Sequence, residues 1–223
     1  MSAPRVGVLA LQGDFARHIA SLEALVVDVM RVVRPEDLDG LDALVLPGGE
    51  STTMMKLMDA NRLREPLTRA VREHPVLGTC AGAILLGTES TRLPGPPLGV
   101  LDLTLERNAY GRQIDSFTAD VGVSVLGGSF PGVFIRAPRI RRVGAGVEVI
   151  ARLPASDPAG EPVGVRRGRA VGLCFHPELT SDLRLHRWFL AEVAGLTLAS
   201  HVQGTSEGPV GRPVSARARE AGR

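Results

Sequence analysis

Cys80 stands at the centre of Gly78-Thr79-Cys80-Ala81-Gly82, a cysteine with a glycine two positions to either side. Placed between a short apolar strand and an apolar helix start, G-x-C-x-G is the thiol counterpart of the serine nucleophile elbow. Such a turn is so tight that a β-carbon at either flanking position would strike the strand or the helix, which pushes Cys80 out at the tip. At a helix N-terminus the dipole favours negative charge on sulfur, and the Ala81 N–H is aimed where an oxyanion would form. The competing reading is a buried structural cysteine beside packing glycines. Cys174, the other thiol, lies inside the apolar run Val171 to Phe175 with no turn to expose it, and reads as a small core hydrophobe.

A thiol nucleophile needs a base, and His176-Pro177-Glu178 follows directly after that run. In an extended segment residues i and i+2 project to the same side, so Glu178 can reach the imidazole of His176 while Pro177 stiffens the link. A carboxylate there fixes the tautomer and stabilises the imidazolium formed when the ring takes the thiol proton. His18, His74, His186 and His201 have no such carboxylate two residues away at a strand end, and read as surface or helix histidines. One His, one Glu and one Cys do not form a spaced ligand set, so no metal is expected, and the chemistry requires no cofactor.

Leu46-Pro47-Gly48-Gly49-Glu50-Ser51 supplies a second glycine turn at the end of an apolar strand. Glycine can turn its N–H toward a bound carbonyl with little strain, which makes Gly49 the candidate for a second oxyanion donor beside Ala81. An ordinary turn into a helix capped by Ser51 is the alternative. A small zwitterionic substrate would also need a cation for its carboxylate, and Arg107 and Arg136 each follow an extended run.

These residues need elements to hold them. Arg5 to Leu11 reads as a buried strand, followed by a helix from Asp14 with Ile19, Leu22, Leu25 and Val26 on one face. Leu41 to Leu46 is a second strand and leads through Pro47-Gly48-Gly49 into a helix from Ser51; Pro75 to Leu77 is a third, leading through the cysteine turn into Ala83 to Leu86. Three strand-turn-helix units predict an α/β fold, a three-layer, mostly parallel sheet with helices on both faces, because parallel strands need crossovers. Chemistry then collects at the carboxyl ends of the strands. Gly99 to Leu105, Ala119 to Val125, Val133 to Ile135, Val147 to Leu153, Pro162 to Val165 and Ala170 to Phe175 read as further strands, some antiparallel, and Leu183 to Val193 as a helix. Residues 1–198 are expected to form one domain. The polar, Gly-, Ser-, Pro- and Arg-rich tail, 199–223, cannot offset its ordering entropy and is expected to be disordered.

At 223 residues and 44% apolar composition the chain can bury one sizeable core. Its formal charge of +2 is scattered, which argues against nucleic acid as a partner. Met1 to Leu11 lacks a basic n-region and a long apolar core, and no apolar run reaches the roughly 18 to 20 residues of a membrane span, so a cytoplasmic, reducing setting is expected.

Together these residues resemble the class I (triad) glutamine amidotransferases, and more narrowly the glutaminase subunits of two-component pyridoxal 5′-phosphate synthases. The likeness runs from Val8-Leu9-Ala10-Leu11-Gln12-Gly13 through Gly48-Gly49-Glu50-Ser51-Thr52-Thr53, the cysteine turn, Glu106-Arg107-Asn108 with Gly111-Arg112-Gln113, Asp115-Ser116-Phe117 and Val133-Phe134-Ile135-Arg136-Ala137-Pro138 to Phe175-His176-Pro177-Glu178-Leu179. The chain departs from the pattern in its tail and at Tyr110, where the family more often has Phe. The resemblance implies that Cys80, His176 and Glu178 are a catalytic triad and that Gly49, Glu50, Ser51, Arg107, Ile135 and Arg136 contact L-glutamine. It also implies a synthase partner in a hetero-oligomer, which uses the released ammonia to build pyridoxal 5′-phosphate from a pentose and a triose phosphate. Two other classes stay open: a cysteine peptidase or hydrolase on the same fold, and a non-catalytic interaction subunit.

Overall fold

The computed structural model describes residues 3–107, 109, 116–154 and 159–198. The tail from 199, with His201, and Asn108, Tyr110, Gly111, Arg112, Gln113 and Asp115 lie outside the described residues.

The first half is built of parallel units: β1 (Arg5–Leu9), α1 (Phe15–Glu23), β2 (Asp28–Val32), β3 (Ala43–Leu46), α2 (Ser51–Ala60), α3 (Arg64–Glu73), β4 (Val76–Thr79) and α4 (Ala81–Leu86). The second half adds β5 (Glu89–Ser90), β6 (Leu103–Glu106), β7 (Phe117–Val123), β8 (Gly128–Phe134), β9 (Arg139–Val143), β10 (Glu148–Leu153), β11 (Glu161–Arg167), β12 (Ala170–Leu173) and α5 (Arg184–Trp188). Among the described residues the main sheet runs β2-β1-β3-β4-β12-β11-β10-β7-β8, and β5-β6-β9 form a smaller one. Neighbours from β2 to β12 pair in parallel, and those from β12 to β8 pair antiparallel. The α/β sheet with added antiparallel strands is therefore present.

Helices on both faces explain why the central parallel strands are buried throughout: every residue of β3, β4 and β12 is buried. Beyond them, Phe130, Phe134 and Phe175 pack ring to ring, with centroids 6.0 Å and 5.7 Å from Phe175, and Phe134 stacks on Phe117 at 4.7 Å.

Several elements differ from the sequence expectation. β1 stops at Leu9, and Gly99 to Asp102 are not part of β6. Val26 is 52% exposed with φ +60°, in the turn after α1 rather than on its core face. β2, α3 and β9 had no clear apolar signature, because each is charged and buries one narrow stripe: Val32 in β2, Leu67, Ala70 and Val71 in α3, Ile140 in β9. The last helix is α5 continued by a π-helical turn, Phe189–Val193, rather than one regular helix.

Candidate active site

Register alone brings the site together. In the parallel pairs of β4, Gly78 lies opposite Leu46 of β3 on one side, and Thr79 lies opposite Leu173 of β12 on the other. Cys80, the Gly48-Gly49 turn and His176 therefore leave the same carboxyl edge of adjacent strands, where open α/β sheets bind their ligands. The antiparallel half reaches the same place, since the His176 N–H donates to the Val133 carbonyl of β8 at 2.9 Å.

Cys80 has φ +46° and ψ −103°, a strained backbone for a residue with a side chain, held by its N–H bond to the Leu173 carbonyl at 2.8 Å. The flanking glycines are needed for the expected reason: a β-carbon on Gly78 would lie 2.6 Å from the Gly82 carbonyl carbon, and one on Gly82 would lie 1.9 Å from the Leu46 oxygen. Ala81 opens α4, where first-turn N–H groups have no intrahelical acceptor. Cys174 is fully buried, and desolvation pushes its thiol far above the ordinary range, so it stays neutral and shielded.

His176 and Glu178 are 3% and 4% exposed, with Nδ1 of the imidazole 2.7 Å from Oε1 of the carboxylate. The i, i+2 spacing thus delivers the contact it promised, although Pro177 to Leu179 form a 3₁₀ turn rather than extended chain. Burial opposes charge on His176, but Cys80 and Glu178 outweigh it and raise its pKa to about 10. Burial also works against the Glu178 carboxylate, and is overcome by His18 and His176, which hold it ionised well below the usual range.

A cavity of about 250 Å³ opens over Cys80 and His176, lined also by Asp14, Gly49, Glu50, Ser51, Ile84, Arg107, Ile135 and Arg136. All six residues assigned to substrate contact line it. Gly49 has φ +151°, and a β-carbon there would meet Gln12 Oε1 at 2.6 Å; the same oxygen accepts the Glu50 N–H at 2.7 Å. Glu50, not Ser51, caps α2, accepting from the N–H groups of Thr52 and Thr53 at 3.1 and 2.7 Å. Burial alone would raise the pKa of Glu50, yet the Thr53 hydroxyl, donating to Oε2 at 2.7 Å, together with these N–H bonds lowers it to about 2. Arg107 reaches Glu50 Oε1 at 2.7 Å and the Arg92 carbonyl at 2.8 Å. Arg136, at φ +45°, is exposed and has no ion-pair partner among the described residues.

Over residues 8–195 the sequence matches the model of the SNO glutamine amidotransferase family. The chain belongs to that family. Its relatives include the pyridoxal 5′-phosphate synthase subunit PdxT of Rhodococcus jostii, 48% identical over 202 residues, which cover 88% of this chain and all of the relative. PdxT of Thermus thermophilus is 53% identical over 194 residues, covering 86% of this chain and 98% of the relative. A crystal structure described as a glutamine amidotransferase superposes with a TM-score of 0.78 at 50% identity, covering 86% of this chain and 99% of that one. PurLQS of Thermotoga maritima shares the fold, with a TM-score of 0.61 at 18% identity over 81% of this chain and 90% of that one.

Sequence reasoning missed Asp14 and His18, which reach the His176–Glu178 pair, and His186 behind them. Asp14 lines the cavity, and its carboxylate lies within 4.8 Å of donor atoms of His176 and Glu178. His176 Nδ1 and Glu178 Oε1 face each other, so this trio is the histidine–glutamate pair with an acidic neighbour. His18 and His186, expected at the surface or on helices, do lie on α1 and α5, yet both are 0% exposed, and His18 contacts Glu178. Their helical periodicity was the available signal: each falls on the core-facing side of its helix, beside Leu22 and Leu185 respectively.

Proposed function

We propose that this amidotransferase is the glutaminase subunit of a pyridoxal 5′-phosphate synthase, hydrolysing L-glutamine to glutamate and ammonia for a synthase partner in the cytoplasm. The observation that carries the reading is one cavity lined by a strained cysteine, a histidine backed by a buried glutamate, and the cationic and glycine-turn groups that a free amino acid requires.

In the reaction, the Cys80 sulfur attacks the side-chain amide carbon while His176 holds the proton that sulfur has lost. The carbonyl oxygen becomes an oxyanion between the N–H groups of Ala81 and Gly49. The Gly48 carbonyl faces the Asp14 N–H at 3.4 Å, and a peptide's C=O and N–H point oppositely. The Gly49 N–H therefore turns away from β1, toward the side of β3 on which β4 carries Cys80. His176 gives its proton to the leaving nitrogen, ammonia departs, and a thioester remains. Water, deprotonated by the same imidazole, hydrolyses it to glutamate and restores the thiol. Each oxyanion donor is worth roughly 10² to 10³ in rate, and the base about 10² to 10⁴. Arg107 is engaged by Glu50 and positions it, whereas Arg136 is available for the substrate α-carboxylate.

Ammonia release from glutamine, measured with the synthase partner present, separates the readings. Cys80→Ala should lose essentially all activity and Cys174→Ala should keep it. Peptide cleavage without glutamine hydrolysis would instead point to a peptidase on this fold.

A further inference from the structure

Glu178 presents two oxygens and the triad uses only one. Its Oε2 lies 3.3 Å from Nε2 of His18, both side chains being 0% exposed. The same Nε2 is 3.0 Å from Oγ1 of Thr79, the residue bonded to Cys80, and His18 Nδ1 is 3.1 Å from Nε2 of His186. Oε2 has no aligned hydrogen-bond donor among the described residues, so the Glu178 contact is an electrostatic one at ion-pair distance; it favours a hydrogen on His18 Nε2, which also faces Thr79. The contacts close a ring: Cys80, His176, Glu178, His18, Thr79 and, through the peptide bond, Cys80 again. A fully buried imidazole is costly unless its nitrogens are matched, and here both are matched to the strand end that carries the nucleophile, the triad acid and α5.

We propose that His18 is a positioning residue of the glutaminase reaction. It fixes the far oxygen of Glu178 and the Thr79 side chain, so that the near oxygen keeps His176 aimed at Cys80, and His186 holds the His18 ring in turn. Without that second clamp the Glu178 side chain regains rotamers, its bond to His176 loosens, and the imidazolium is less favoured. His176 faces Cys80 from the β4–α4 turn, Glu178 from its own loop and Asp14 from the β1–α1 turn; Glu178 faces His176 and His18; His18 faces His186 from α5. Burial, aided by His18 and partly offset by Glu178, lowers the His186 pKa to about 3, so it serves as a neutral support.

The proposal rests on the amidotransferase reading, and two variants test it in the complex with the synthase partner. The amide nitrogen of Gln reaches the place of Nε2, whereas Asn reaches only that of Nδ1. His18→Asn should lower kcat by about 10- to 100-fold with KM for glutamine nearly unchanged, and should move the alkaline limb of kcat/KM to lower pH. His18→Gln should recover most of both. Alkylation of Cys80 by iodoacetamide in the free chain, followed against pH, needs neither turnover nor partner and should shift the same way. A His18→Asn enzyme with the original kcat and pH profile overturns the proposal. So does equal loss in both variants with an unshifted alkylation profile, the mark of plain packing. If the unaltered complex releases no ammonia from glutamine while His18→Asn still shifts alkylation, the glutaminase reading fails and the ring stands.

Discussion

At the scale of single residues, the base is governed by what surrounds it. His176 is buried, which alone would make it a weak base, yet Cys80 and Glu178 reverse the sign and carry its pKa to about 10. A histidine raised above its ordinary 6.5 contributes stability fully below that value and loses it as pH climbs through about 10. Glu178, held below its ordinary 4.5, contributes above that value and loses its share as pH falls through its folded pKa. The pair is therefore intact across neutral pH. For the complex, kcat/KM should stay level from neutral into alkaline pH and fall near pH 10. An acid limb near 6.5 with no alkaline loss would mean that His176 titrates free of both partners.

At the scale of elements, two glycines do different work. Gly82 seats α4 against β3, and Gly82→Ala would drive a β-carbon to 1.9 Å from the backbone oxygen of Leu46, where nothing flexible can yield. Overpacking of this kind should cost about 1 to 3 kcal/mol or more, seen as a lowered melting temperature. A β-carbon on Gly48 would instead lie 2.3 Å from His176 Cε1, so Gly48→Ala should displace the base. A misplacement near 1 Å can cost on the order of 10² in rate, so kcat should drop with a smaller change in melting temperature. Equal melting temperatures for the two variants, or full activity of Gly48→Ala, would contradict this division. The glycine turns were legible because each joins an apolar strand to a helix. The charged edge strand β2 and the arginine-rich β9 were not, since their burial is decided by neighbours distant in sequence.

At the scale of the whole molecule, the strand order decides which parts of the sequence meet. Cys80 and His176 are close because β12 returns to lie parallel beside β4 after the chain has built the antiparallel half. That half ends by delivering Ile135 and Arg136 to the cavity. Glu178 was readable from its spacing to His176, but the His18 contact was not: it joins α1 to a loop 160 residues away and leaves no local pattern. In the proposed reaction the Cys80 sulfur, activated by His176, attacks the glutamine side chain. The most direct test is to treat the complex with a diazoketone analogue of glutamine, digest it and locate the adduct by mass spectrometry. The adduct should sit on Cys80 in the unaltered chain and disappear with His176→Ala. An adduct on Cys174, or undiminished labelling of Cys80 without His176, would contradict the account.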